Sequence, residues 1–225
     1  MKKIWIVCML LLCLGMGTAC AAESAGGEPS IMEKTADILK GDAVPAAEQN
    51  SKLPRVAFIY INNAKTDYNA EIDAKILEHI KKVAANRWVL LPGDIYKDKM
   101  ASMGTQSITM AERADILATT KDTEADALLL IEVEPFVVRD VITFFTVGKK
   151  VTTSIPVKVI DRNTGLYLYN GKFVELGKDN SMIGGIGNKS VIMKALDQFF
   201  VKFDEAIPEK LANVKRMDKE PVLIP

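Results

Sequence analysis

The chain has 225 residues, with 29 basic side chains matched by 29 acidic ones, a single histidine and three cysteines. Balanced charge with no clustered basic run excludes a nucleic-acid partner, since that binding draws on counterion release by packed Lys and Arg. One histidine supplies neither a multi-ligand metal set nor a triad that any serine here is placed to complete, so no metal and no cofactor are expected.

Taken in chain order, Lys2 and Lys3 precede an apolar stretch from Ile4 to Met16 and the small-residue run Gly17-Thr18-Ala19-Cys20-Ala21-Ala22. This is the pattern of a secretory signal peptide, residues 1–21, and it predicts export to the periplasm or the outer membrane. The apolar run falls short of the ~20 residues that a membrane span needs. Two endings stay open. Read as a lipobox, Gly17 to Cys20 makes Cys20 the acylated first residue and gives the chain a lipid anchor, although Gly17 stands where lipoboxes prefer Leu. Cleavage after Ala21 or Ala22 instead discards Cys20. If Cys20 is acylated, Ala21 beside it lacks the acidic side chain associated with inner-membrane retention, so an outer-membrane lipoprotein is expected. Cys8 and Cys13 leave with the signal either way, so the exported chain has no internal disulfide. Losing Lys2 and Lys3 lowers the basic count from 29 to 27 against 29 acids, a net charge of −2.

Residues 22–53 are rich in Ala, Gly, Ser, Glu, Gln and Pro and read as a linker. Ser30 and Glu33 form a capping box ahead of Ile31, Ile38 and Leu39, and Gly41 stops the pattern, which predicts a short helix over 31–40. That helix either rests on the domain or docks a partner. About 170 residues remain for a globular domain over 54–213 and a tail over 214–225, enough for one real core.

Arg55 to Ile61 is apolar on both faces, as in a covered central strand, and Asn62-Asn63 turn the chain. Ile72, Ile76, Ile80 and Val83 recur at helical spacing between Tyr68 and Asn86. Trp88 to Leu91 is a short strand ended by Pro92-Gly93. Thr109 and Glu112 form a second capping box for a helix to about Lys121, with Ala114, Leu117 and Ala118 inward. Asp126 to Val138, Val141 to Val147, Val151 to Ile160 and Leu166 to Leu176 read as strands, with Asp161 to Gly165 a five-residue hairpin loop. Asn188 or Ser190 caps the last helix, whose stripe is Ile192, Leu196, Phe199, Phe200, Phe203 and Ile207. The fold class is α+β: a single mixed sheet of about five strands with three packing helices, in the order β-α-β-α-β-β-β-α.

Two stretches give this order its character: Ala125-Asp126-Ala127-Leu128-Leu129-Leu130, and Val157-Lys158-Val159-Ile160-Asp161-Arg162-Asn163-Thr164-Gly165. They resemble the domain shared by the amino-terminal part of TolB, the curli-secretion lipoprotein, the lipoprotein activator of penicillin-binding proteins and small uncharacterised envelope lipoproteins. The likeness covers roughly Arg55 to Leu211 and is nearest to the uncharacterised lipoproteins. Most members carry an aromatic, often Trp, after the Thr-Gly turn, where Tyr167 and Tyr169 stand here. The resemblance implies a non-enzymatic domain that binds other envelope proteins or associates with itself, a scaffold or regulator in envelope assembly or maintenance. The alternative from a different class is a periplasmic hydrolase or small-ligand binder.

No residue group reads as a catalytic constellation. Gly184, Gly185 and Gly187 before Asn188-Lys189-Ser190 lack the Gly directly before Lys-Ser that a phosphate-binding loop requires, so a flexible helix entry is the expected reading. Glu132 and Glu134 share one strand face and are expected to be solvated. His79 is expected at the surface. Phe144 and Phe145 stand consecutively in a predicted strand, one ring to each face. Burial is the expected state of the pair, and an anchor for a protein partner is the alternative.

Overall fold

The structure, a computed structural model, describes residues 52–181 and 187–217. The predicted signal peptide, Cys20, the helix over 31–40, nearly all of the linker and residues 182–186 with Gly184 and Gly185 lie outside the described residues. The elements are β1 (Arg55–Asn62), α1 (Asn69–Ala84), β2 (Val89–Pro92), α2 (Asp94–Ser102), α3 (Arg113–Thr119), β3 (Ala127–Val133), β4 (Val137–Ile142), β5 (Val147–Asp161), β6 (Tyr167–Ser181), α4 (Asn188–Ala206) and α5 (Pro208–Ala212). The expected α+β class with a single mixed sheet holds, with six strands rather than five. Among the described residues no helix is long and apolar enough to cross a membrane.

The sheet has two regions. In the first, β1 lies between β2 and β3 and runs parallel to both. Helices cover both faces there, so every β3 residue is buried and the strand reads as a continuous apolar run rather than an alternating one. On one face Val56, Phe58, Leu129 and Ile131 meet Ile72, Ile76 and Ile80 of α1 and Leu196, Phe199 and Phe203 of α4. On the other, Ala57, Ile59, Leu128 and Leu130 meet Met100 of α2, Ile116 of α3 and Ile108 of the loop between these helices. The isoleucines of α1 fall four apart, which sets them on one helical stripe.

The second region is built on β5, which is 15 residues long. Its last five residues pair with β3, and its first six pair with β4 along the same edge. On its other edge β6 follows it over nearly the whole length. The β4–β5–β6 end therefore extends past β3 as a three-stranded arm. Two expectations are corrected here. The strand expected over 126–138 is interrupted at 134–136, where Pro135 has no N–H to give to a ladder. The strand expected over 141–147 is a hairpin end: Thr143 and Thr146 close the turn by backbone and hydroxyl hydrogen bonds, which places Phe144 and Phe145 at its apex.

Other corrections are local. Asp94–Ser102 is helical although only Met100 along it is buried. The Thr109–Glu112 capping box does not form: α3 starts after Glu112 without a side-chain cap bond, and the Thr109 hydroxyl donates to Glu134 instead. Gly187, not Asn188 or Ser190, occupies the N-cap of α4, while Ser190 donates to Asp179. Two glycines are required by geometry. Gly165 closes the β5–β6 loop at φ +67, a conformation that L side chains avoid. At Gly177, a Cβ would run into the Val191 carbonyl of α4, so its absence lets helix and sheet approach.

Candidate functional site

The two motifs that carry the family resemblance converge at one end of the sheet. The Asp126 carboxylate is fully buried and accepts hydrogen bonds from the Arg55 backbone N–H at 2.7 Å, the Arg55 guanidinium at 3.1 and 3.3 Å, and the Met217 N–H at 2.8 Å. Burial alone raises a carboxyl pKa; the bonds from Arg55 and Met217 overcome it and hold Asp126 below the usual range. Asp161 accepts from the Asn163 N–H and the Thr164 hydroxyl within its turn, and Arg162 donates to the carbonyls of Lys121, Thr123 and Ala125. Residues 214–217, in the stretch read as a tail, lie against this clamp: Val214 is buried and the Lys215 carbonyl accepts from Asn163. These residues fasten the β1 and β3 starts, the hairpin and residues 214–217 together. The motifs mark a fold-forming knot.

Glu132 is not solvated as expected. It is buried and accepts from Asn63 Nδ2 at 2.7 Å, Ser107 Oγ at 2.8 Å and the Ile108 N–H at 2.7 Å. Its carboxylate thereby fixes the loop ahead of α3, and Lys158, buried nearby, donates to the Ala111 carbonyl at 2.7 Å. Burial pulls the Lys158 ammonium below the usual lysine range, against the opposing pull of Glu132. Glu134 lies at the rim, paired with Lys172 at 2.9 Å. Both glutamates are therefore committed to structural donors, the hydroxyls of Ser107 and Thr109 among them.

His79 is likewise not a plain surface residue. Its ring stacks on Phe200 at 3.9 Å between centroids, meets Phe203 edge-on and reaches Asp204 at 2.8 Å, so it joins α1 to α4. Among the described residues no cluster of His, Cys, Asp and Glu is placed to hold a metal.

A cleft of about 700 Å³ opens beside β2, floored by Phe58 and Tyr60 and walled by Asp73, Leu77, Leu90 and Pro92. Asp73 accepts from the Tyr60 hydroxyl at 2.9 Å and from Asn62 at 2.6 Å. Burial and that carboxylate push the Tyr60 phenol far above its usual range, so it stays protonated and donates. Among the described residues its lining has no Ser, Thr, Cys or His; it has the size of a ligand site.

The surface feature of the molecule is the arm. Phe144 and Phe145 are 93% and 75% exposed, which corrects the expected burial, and their rings touch edge to face at 4.8 Å. Ile142 and Val147 beside them are exposed too. Val137, Thr152 and Leu176 sit in one cross-strand row, and Ser154 and Val174 in another on the same face; Val137, Val174 and Leu176 are exposed. The sequence hid this surface because the apolar residues alternate as they would in a covered strand.

No protein-family model matches the chain, and no curated protein does. Solved structures do. The hypothetical protein CT253 from Chlamydia trachomatis is 10% identical over 71% of this chain and 98% of that one, with a TM-score of 0.48. Lipoprotein GNA1162 from Neisseria meningitidis is 12% identical over 66% and 99%, with a TM-score of 0.37, and LpoB from E. coli is 10% identical over 79% and 86%, at 0.34. At these identities the likeness concerns the fold alone. Bacterial lipoproteins are among the solved structures to which the chain is similar.

Proposed function

We propose that the chain is an exported, non-enzymatic cell-envelope protein, a scaffold or regulator in envelope assembly or maintenance whose partners are other envelope proteins or a second copy of itself. The arm carries this reading: it leaves Val137, Val174 and Leu176 exposed on one face and Phe144 and Phe145 exposed at its apex, while the glutamates and the histidine are engaged in packing. Exposed apolar groups gathered on one projecting element are where an interface draws its energy. Val174→Ser combined with Leu176→Ser is expected to leave the melting temperature near wild type. The same pair should lower crosslinked recovery of an envelope partner, or of the homo-oligomer in light scattering, by about tenfold or more. Recovery unchanged in the folded variant would refute the scaffold reading.

The export signal extends the reading to Cys20 as an acylated anchor directed to the outer membrane. Mass spectrometry of the processed protein is expected to find a lipid-modified Cys20 at the N-terminus. A lipid-free start at Ala22 or Glu23 rules the anchor out, and Cys20→Ser would then leave localisation unchanged.

A further inference from the structure

We infer that the outer end of the arm is a lipid-contacting device, in which Phe144 and Phe145 enter the interface of an anionic bilayer while a cross-strand row of Arg139, Lys150 and Lys178 meets its headgroups. This rests on the arm as the contact surface of an envelope protein and deepens it. The part of that same face nearer the core, with Val137, Val174 and Leu176, is left for a protein.

The row is set by register. Arg139 lies opposite Lys150, and Lys150 opposite Lys178, so three cations stand side by side on one face. All three are exposed, and none takes part in an ion pair among the described residues. Like charges directly opposite each other destabilise a sheet. Among the described residues no acid offsets them locally, because the flanking rows on that face are Val137–Thr152–Leu176 and Val141–Gly148–Asn180. The arm's acids, Asp140, Glu175 and Asp179, fall on the other face and are held by Lys149 at 2.6 Å, Lys202 at 2.8 Å and Lys194 at 2.8 Å. The structure thus neutralises one face of the arm and leaves the other positive.

The order of these features along the arm selects a bilayer. From the exposed Val147 at the apex to Lys150 is three residues, about 10 Å of strand. A bilayer is apolar at depth and polar over roughly 5–8 Å on each side. With the aromatic rings at the hydrocarbon boundary, the cations therefore stand at the outer headgroup level, within about one Debye length of anionic phosphates. Aromatic side chains favour that interface. A convex apolar tip with a cationic step behind it matches this layering, whereas a protein pocket has no reason to repeat it.

The test uses the full chain carrying Phe144→Trp, with its emission read as a difference from wild type, so that the signal reports the apex and not association through the N-terminus. On vesicles of phosphatidylcholine and phosphatidylglycerol at 3:1 the added indole is expected to shift to shorter wavelength, and on phosphatidylcholine alone it is expected not to. Adding Arg139→Gln, Lys150→Gln and Lys178→Gln together should lower the inserted population by roughly two orders of magnitude, about fivefold per cation, with the melting temperature unchanged. No shift on anionic vesicles overturns the proposal, as does a triple variant that inserts like its parent. Partner capture that depends on Phe144 and Phe145 without any vesicle response would give the apex to a protein instead. The scaffold reading fails separately, through the Val174 and Leu176 variants.

Discussion

Phe199→Ala and Phe203→Ala are each expected to destabilise the domain by about 3–5 kcal/mol, the cost of deleting a buried aromatic and leaving a cavity. Both side chains are fully buried. Phe199 meets Phe173 of β6 at 5.4 Å, Phe200 at 5.5 Å and Phe203 at 5.6 Å, so it joins α4 to the sheet. Phe203 lies where α4 meets α1, with His79 edge-on at 6.3 Å. Phe200 of the same helix is also buried, under the His79 ring. For a domain of this size the loss corresponds to a melting-temperature drop of roughly 10 °C. Chemical denaturation checks it, with Phe144→Ala as the control. That exposed position should change stability by less than about 0.5 kcal/mol. A loss below about 1 kcal/mol at Phe199 would contradict the packing described.

The second large effect belongs to Asp126. Asp126→Ala removes a buried acceptor of four hydrogen bonds and leaves the mostly buried Arg55 guanidinium without that carboxylate, a loss of about 3 kcal/mol. The pH dependence follows from the same contacts. The folded-state pKa of Asp126 is depressed, so its contribution is fully present above the unfolded value of about 3.9 and is lost as pH falls through the lower folded value. Denaturant midpoints measured downward from pH 5 should therefore fall more steeply for wild type than for Asp126→Asn. Parallel acid limbs for the two proteins would show that this carboxylate is not what acid titrates.

Elements whose residues bury their own periodic stripe were legible in the sequence: Ile72, Ile76 and Ile80 wrote α1, the apolar run from Ala127 wrote β3, and the aromatics wrote α4. What escaped depends on groups brought together from afar. Glu132 reads as a solvated strand residue until Asn63, 69 positions away, and the Ser107–Ile108 loop supply its donors. His79 reads as a surface residue until Asp204, 125 positions on, and Phe200 close over it. Helix α2 left no pattern because only Met100 along it is buried. The arm was misjudged for a different reason. Alternation tells which side chains share a face and not whether anything covers that face, so the exposure of Phe144 and Phe145 and the register of Arg139 with Lys150 and Lys178 required the pairing itself.

The unbroken course of β5 through both sheet regions gives the arm the mechanics of a beam built into a wall. A pull on the apex along the strand direction loads the β3–β5 and β5–β6 ladders in shear, across hydrogen bonds that lie perpendicular to the strands. They must yield together, whereas a hairpin attached through a loop would peel open one pair at a time. Tension received at Phe144 and Phe145 thus has a path along one continuous strand to Val157 and Val159 beneath α4.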